Sequence, residues 1–150
     1  MRRVLFAGAN DSVGSQMAVA FFNAFSAPGL VKGTLGVARC DDRLPSEATE
    51  VMKEIGFDLT AGRAQPLTPE LVRSADVLIC IGPGQLCPSL PGQRRIVWLL
   101  DEPKSWSREH LRPLRDEVRA KVWRLVAKEG WYKLQPVRAI LRSWALQPGV

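Results

Sequence analysis

Short, mainly apolar runs alternate along the chain with segments whose apolar residues recur at helical spacing. The short runs, each of which predicts a buried strand, are residues 3–7, 34–37, 77–81 and 95–99. The segments with helical spacing, which predict amphipathic helices, are residues 16–25, 45–55 and 107–128. The run 77–81 is apolar at every position, which is typical of a strand covered on both faces of a parallel sheet.

Residue types at the ends of these segments support the same elements. Ser15 is a suitable N-cap for a helix that starts at Gln16. Thr68 followed by Pro69 predicts the start of a further short helix, because proline is tolerated in the first helical turn. Residues 82–92 contain three prolines and three glycines, so they predict a long loop.

The alternation of strands and helices predicts an α/β fold with helices on both faces of a parallel sheet. In such sheets, ligands bind beyond the carboxyl ends of the strands. The segments expected to converge there are loop 8–15, loop 82–92 and the residues after Leu100. This edge is therefore the predicted functional site.

Composition is that of an ordinary globular domain, with 150 residues, 46% hydrophobic and 24% charged. No run of 18 apolar residues predicts a membrane span. Asp11 interrupts the first apolar stretch too early for a signal peptide. Three widely spaced cysteines without a Cys-x-x-Cys motif predict free thiols, and hence a cytoplasmic protein. No membrane partner is predicted.

Charge is distributed unevenly between the two parts of the chain. The net charge is +6; residues 1–103 contribute −1 (10 basic, 11 acidic) and residues 104–150 contribute +7 (11 basic, 4 acidic). The basic residues are spread over two amphipathic segments rather than clustered, which favours solvated helix faces over a nucleic-acid-binding surface. A nucleic-acid partner is therefore not predicted.

Five segments, in order, resemble the low-molecular-weight tyrosine phosphatase and arsenate reductase family. They are the strand, loop and helix start at 4–18, then residues 51–59, 87–92, 98–103 and 114–118. The resemblance covers about residues 3–128. It implies a three-layer α/β sandwich with a four-stranded parallel sheet in the order 2-1-3-4. We accordingly assign residues 1–128 to this domain and residues 129–150 to a C-terminal helical extension.

The resemblance also implies a chemistry for which this chain lacks two groups. The family uses a nucleophilic cysteine, whose thiolate attacks phosphorus or arsenic, and an arginine six residues later that holds the oxyanion. The corresponding positions here are Gly8 and Gly14. Asp11 stands where the family has an asparagine. Glu102, preceded by Asp101, stands where the family has its acid, an aspartate before proline.

The redox half of the family's chemistry is incomplete by the same comparison. Arsenate reductases of this type pass oxidation to a pair of downstream cysteines. Cys87 is the redox candidate, but the position that would pair with it falls on or near Pro83. Cys80 lies inside a predicted strand, and we interpret it as a small core residue.

We therefore interpret the chain as a degenerate family member, leaning to a non-catalytic binding or regulatory module. The alternatives for the chain are an active phosphatase or arsenate reductase that uses other groups, and a nucleotide- or anion-binding protein. The alternative for loop 8–15 is that it binds nothing and merely connects the strand to the helix. No cofactor or metal is predicted, and the expected partner is a small anion or phosphorylated ligand. The candidate ligand-binding residues are Gly8, Ala9, Asn10, Asp11, Ser12, Val13, Gly14, Ser15, Asp101 and Glu102.

The C-terminal extension carries a second amphipathic pattern. Val137, Ile140, Leu141 and Trp144 recur at the 3, 4 and 7 spacing of one helical face. A helix this short is marginal in water by itself, so its apolar face needs a surface to cover it. That surface is either the domain's own sheet or last helix, or a second copy of the chain, which would make the extension a homodimer contact. A basic contact with a membrane surface or nucleic acid is the least favoured alternative.

Overall fold

The computed structural model describes residues 1–8, 13–38, 44–59, 64–82, 90–100 and 103–133. Within these ranges, strands and helices alternate along the chain. In chain order they are β1 Arg2–Gly8, α1 Val13–Phe25, β2 Val31–Val37, α2 Ser46–Lys53, β3 Gln65–Pro66, α3 Pro69–Arg73, β4 Val77–Ile81, β5 Arg94–Trp98 and α4 Arg108–Glu129.

The strands form one sheet in the order β3-β2-β1-β4-β5, and every neighbouring pair is parallel. The four longer strands have the predicted order 2-1-3-4. The predicted number of four is corrected to five by β3, which adds two residues at the β2 edge. Gln65 and Pro66 are both exposed, so no apolar run marked this strand in the sequence.

Alternate residues of the central strands face two different apolar layers. Val4 and Phe6 of β1 pack with the helix layer of α1, α2 and α4, and Ile79 of β4 joins them. Leu5 and Cys80 face the opposite layer, which includes Val72 of α3. The result is the predicted three-layer sandwich, with β1 and β4 covered on both faces.

The helix ends follow the predicted signals with small shifts. The Thr68 Oγ1 accepts a hydrogen bond from the Leu71 N–H at 3.1 Å, so the predicted cap of α3 is confirmed. The helix predicted over residues 45–55 ends at Lys53, and a turn follows through Gly56, whose φ is +84°. The helix predicted over 107–128 extends to Glu129 and is closed by Gly130 at φ +72°.

Ion pairs join α2 to α4. The Arg112 Nη2 lies 2.8 Å from a Glu54 carboxylate oxygen, and the Arg115 Nη1 lies 2.8 Å from the other. The buried Arg115 guanidinium also donates to the Val51 carbonyl at 2.8 Å. The hydrogen bond from Arg112, aided by Arg115 and opposed by partial burial, lowers the pKa of Glu54 from 4.5 to about 2.

The chain after α4 packs back against the end of α1. Trp131 is buried, and its ring lies 6.1 Å from that of Phe22. Trp123 packs edge-on against Phe25, with ring centroids 5.8 Å apart, and is partly buried against the main core. The predicted helix after Pro136 and most of the extension lie outside the described residues, so the domain division at residue 128 remains a prediction.

Candidate functional site

The carboxyl ends of four strands lie level at one edge of the sheet. Gly8 is in register with Val37 on one side and Ile81 on the other, and Ile81 is in register with Trp98. The Ala38 N–H donates to the Gly8 carbonyl at 3.1 Å, and the Gly82 N–H donates to the Trp98 carbonyl at 3.0 Å. The segments that follow β1, β4 and β5 therefore begin at the same edge, as the sequence predicts.

Helix α1 starts at this edge and begins earlier than predicted. Its first residue is Val13, so Gly14 and Ser15 lie in the first helical turn. The prediction that Ser15 is the N-cap is therefore wrong. Burial explains the difference: Val13 is 2% and Ser15 0% exposed, so an apolar residue anchors the first turn in the core. The position before the helix is Ser12, outside the described residues.

The start of α1 is suited to a negative group. The first N–H groups of a helix have no carbonyl acceptor within the helix, and the aligned peptide dipoles give this end a partial positive charge. Helix α1 contains no acidic residue in its first turn. Gly8 and Gly14 contribute no side chain to this surface.

The structure describes four of the predicted ligand-binding residues and places them together. Gly8 ends β1, while Val13, Gly14 and Ser15 open α1. The other predicted site residues lie outside the described residues, so their positions remain predictions; they are Ala9, Asn10, Asp11, Ser12, Cys87, Asp101 and Glu102.

Among the described residues, Cys80 differs from expectation in its chemistry. It is buried in β4, 1% exposed, as predicted for a core residue. It is also disulfide-bonded, so the prediction of free thiols is wrong for this cysteine. The other two cysteines of the chain, Cys40 and Cys87, lie outside the described residues. Spacing alone did not reveal the bond, because a disulfide depends on which Cβ atoms the fold brings within about 4 Å.

The single histidine of the chain lies at the start of α4. The His110 Nδ1 is 2.7 Å from the Ser105 Oγ and 2.9 Å from the Ser107 Oγ. Ser107 is the N-cap residue of α4, and its own carbonyl accepts the His110 N–H at 3.1 Å. His110 is thus held at the start of α4 by two serine hydroxyl groups.

Metal and membrane sites are absent from the part of the chain that the structure describes. No group of three or more His, Cys, Asp or Glu side chains is placed to hold a metal ion there. Among the same residues, no helix combines the length and apolar character needed to cross a membrane. The cytoplasmic location expected from the sequence remains a prediction.

Comparison with known proteins identifies relatives along most of the chain. The sequence profile of the low molecular weight phosphotyrosine protein phosphatases matches residues 3–131. The chain is 29% identical over 134 residues to the glutaredoxin arsenate reductase of Synechocystis, covering 85% of this chain and 98% of that protein. It is also 29% identical over 85 residues to a putative arsenate reductase of Halobacterium salinarum, covering 54% of this chain and 57% of that protein.

Solved structures share the fold. An arsenate reductase in the phosphate-binding state is 29% identical with a TM-score of 0.66, covering 85% of this chain and 98% of that one. An arginine phosphatase from Geobacillus stearothermophilus matches with a TM-score of 0.74 at 21% identity, covering 87% and 94%. A thioredoxin-dependent arsenate reductase from Corynebacterium glutamicum gives 0.71 at 21% identity, covering 85% of this chain and 61% of that one.

The profile match extends over most of the sequence and over every strand and helix described above. It begins in β1 and ends at Trp131, just beyond α4. The parallel sheet, its strand order and the helix that opens at its carboxyl edge agree with this placement. The chain belongs to the low molecular weight phosphotyrosine protein phosphatase family.

Proposed function

We propose that this chain is a non-catalytic binding or regulatory member of its family, which holds a small anion or a phosphorylated group at the start of α1 without transforming it. One observation carries the proposal. The last residue of β1, where the family resemblance places the nucleophilic cysteine, is Gly8. A glycine has no side-chain atom that could attack phosphorus or arsenic.

The loss of the second group strengthens the proposal. Gly14, in the first turn of α1, stands where the resemblance places the oxyanion-binding arginine. Removing a nucleophile costs on the order of 10⁴-fold or more in rate, and removing an oxyanion donor costs about 10²–10³-fold. A site without either group therefore has little basis for the family reaction.

Binding an anion requires neither the nucleophile nor the arginine, and the start of α1 retains features that support binding. The start of α1 offers backbone N–H groups and the positive end of the helix dipole. The adjacent Asp11 adds a negative charge, as do Asp101 and Glu102 in the segment after β5. We expect these carboxylates to repel a bare oxyanion, and therefore expect weak binding of inorganic phosphate.

Amide NMR tests binding at this site. Titration of the ¹⁵N-labelled protein with inorganic phosphate should shift the Gly14 and Ser15 amides, and Asp11→Asn should increase the affinity severalfold by removing a like charge. Glu70→Gln, on the exposed surface of α3, is the matched control and should leave the affinity unchanged. The binding proposal fails if phosphate leaves both amides unshifted in the wild type and in Asp11→Asn.

A second candidate function, thiol–disulfide reduction of arsenate, is favoured by the disulfide at Cys80. In this reaction two protein thiols lose two electrons and two protons and form the disulfide, while arsenate is reduced to arsenite and water; an external dithiol then restores the thiols. The burial of Cys80 opposes it, because an external thiolate cannot readily reach that sulfur.

Counting thiols distinguishes the two functions. The protein is first reduced with a dithiol. The dithiol is then removed under anaerobic conditions, and the reduced protein is incubated with arsenate. Under the non-catalytic proposal the thiols stay reduced and no arsenite forms. Formation of one arsenite per disulfide, lost in Cys80→Ser, would establish the reductase instead.

A further inference from the structure

A groove lies on the outer side of α1, between that helix, β2 and residues 56–59 after α2. Its volume is about 630 Å³. Leu35 and Leu59 line it as buried residues. Val19, Ala24 and Phe57 line it as partly buried apolar residues that pack against the main core. Polar residues line the rest of the groove, namely Gln16, Asn23, Lys32, Thr34, Asp58 and Gln65. The groove thus combines an apolar part and a polar part with access from outside.

Helix α1 presents small side chains to this groove. Ala20 and Ala24 are one turn apart and both line it. Residues at this spacing lie on the same helix face. Small side chains there let the backbone of another helix approach closely, so the shape of the groove suits a short helix that lies along α1.

The described chain ends beside this groove. The Lys133 N–H donates to the Phe25 carbonyl at 3.1 Å, and Tyr132 forms an antiparallel bridge with Ser26. Phe57, which lines the groove, lies 6.2 Å from the Phe25 ring. Because the bridge is antiparallel, the chain at Lys133 runs opposite to the direction in which it leaves α1.

The sequence that follows has the length and pattern that the groove requires. Seventeen residues follow Lys133. Val137 to Trp144 spans about 10 Å as a helix, and the lining of α1 from Gln16 to Ala24 spans about 12 Å. The three residues between Lys133 and Val137 allow about 13 Å of reach when extended.

We propose that the C-terminal segment 134–150 docks in this groove, with Val137, Ile140, Leu141 and Trp144 covering the outer face of α1 in an antiparallel arrangement. The chain thereby covers the apolar part of its own groove. Arg138 and Arg142 lie on another face of the same helical pattern. In this arrangement they remain at the surface.

Limited trypsin digestion of the full chain tests the docking, because Arg138 and Arg142 are themselves cleavage sites in the segment. We expect slow cleavage after both in the wild type. Ala24→Glu, which places a charge in the groove, and Trp144→Glu, which removes the largest apolar side chain of the segment, should each speed cleavage about tenfold or more. Ala127→Glu, an exposed alanine near the end of α4, is the matched control and should cleave like the wild type.

Cleavage at Arg119 and Arg124 within α4 provides the internal reference for folding, since only an unfolded domain exposes these bonds. Trp144→Glu lies outside the described domain, so it tests docking even if Ala24→Glu perturbs α1. Equal, rapid cleavage of the segment in the wild type and both variants would overturn the proposal in favour of an undocked tail. Slow cleavage in Ala24→Glu would place the segment elsewhere. Light scattering could instead show a dimer that dissociates on dilution, with faster cleavage of the segment in the monomer. That result would show that a second copy of the chain, rather than the same chain, places its segment in the groove.

Discussion

At the scale of single residues, Glu54 is held by two arginines of α4 while more than a third of its side chain remains exposed to water. Its lowered pKa, about 2, means that the folded state favours the charged carboxylate. The unfolded chain protonates this group near 4.5. The stabilisation is therefore complete above about pH 5 and is lost as the pH falls toward 2.

This sign gives a testable pH dependence. Glu54→Gln should lower the melting temperature at pH 6 to 7, and the difference from wild type should shrink as the pH falls and vanish near pH 2. Glu117→Gln in the middle of α4, with no ion pair among the described residues, is the matched control. A difference that stays constant from pH 7 to pH 3 in thermal melts would show that the Glu54 charge contributes nothing.

Residue identity also decides the chemistry at the site. The variant Gly8→Cys/Gly14→Arg puts a cysteine and an arginine at the positions that the resemblance gives to the nucleophile and the oxyanion-binding group. It keeps Asp11, whose negative charge we expect to raise the thiol pKa. We expect only a slight gain in phosphate affinity from this pair, and detectable hydrolysis of p-nitrophenyl phosphate only when Asp11→Asn is added. Gly8→Ser/Gly14→Arg/Asp11→Asn is the control for the thiol. A triple cysteine variant that binds neither phosphate nor sulfate would show that loop 8–15 lacks the family's shape.

These residue-level features were not equally visible in the sequence. Gly8 and Gly14 were identified as site positions because flanking segments carry the resemblance, and the structure places both at the carboxyl edge of the sheet. The disulfide of Cys80 and the position of Ser15 inside α1 were missed. Both depend on distances and burial in the folded chain, for which the local sequence contains no signal.

At the scale of elements, two glycines of β2 lie close to neighbouring elements, Gly33 against α1 and Gly36 against the segment that leads into α3. The Gly33 N–H and carbonyl are both hydrogen-bonded to the Asn23 side-chain amide, at 3.0 and 3.1 Å. A Cβ at Gly33 would lie 2.6 Å from the Phe22 Cδ1. A Cβ at Gly36 would lie 2.9 Å from the Leu67 Cδ1, which is the end of a flexible, partly exposed side chain.

The two glycines should therefore differ in their tolerance of alanine. Phe22 is fully buried between Phe6 and Trp131, so its ring cannot move away, and Gly33→Ala should lower the free energy of unfolding by about 1–3 kcal/mol. Gly36→Ala, in the same strand, should cost less than about 1 kcal/mol because the leucine can rotate. Urea unfolding measures both. Equal losses would contradict the packing described for β2.

Most elements could be predicted because their signals are local. The buried run of β4, the Thr68–Pro69 start of α3 and the apolar spacing of α4 each lie within a few residues. The two-residue β3 could not be predicted, since its residues are exposed and only its pairing with Gly36 and Val37 defines it. Helix ends shifted by one to three residues, and at the start of α1 the burial of Val13 rather than residue type set the boundary.

At the scale of the whole molecule, the chain has the family fold, and Gly8 and Gly14 stand at the positions that the resemblance gives to the nucleophile and the oxyanion-binding arginine. A core shared by β1, β4, α1 and α4 holds the start of α1 against the strand ends whether or not a cysteine is present. A shared fold does not by itself establish a shared activity. The predicted fold is confirmed, while the altered site stays a prediction because most of its residues lie outside the described part of the chain.

Steady-state turnover of p-nitrophenyl phosphate and thioredoxin- or glutaredoxin-coupled arsenate reduction by the purified wild-type chain is the most direct test of the non-catalytic account. The account predicts rates indistinguishable from buffer and unchanged by thiol alkylation. A phosphatase rate that survives alkylation but is abolished by Glu102→Gln, or an arsenate-dependent rate abolished by Cys80→Ser, would contradict it.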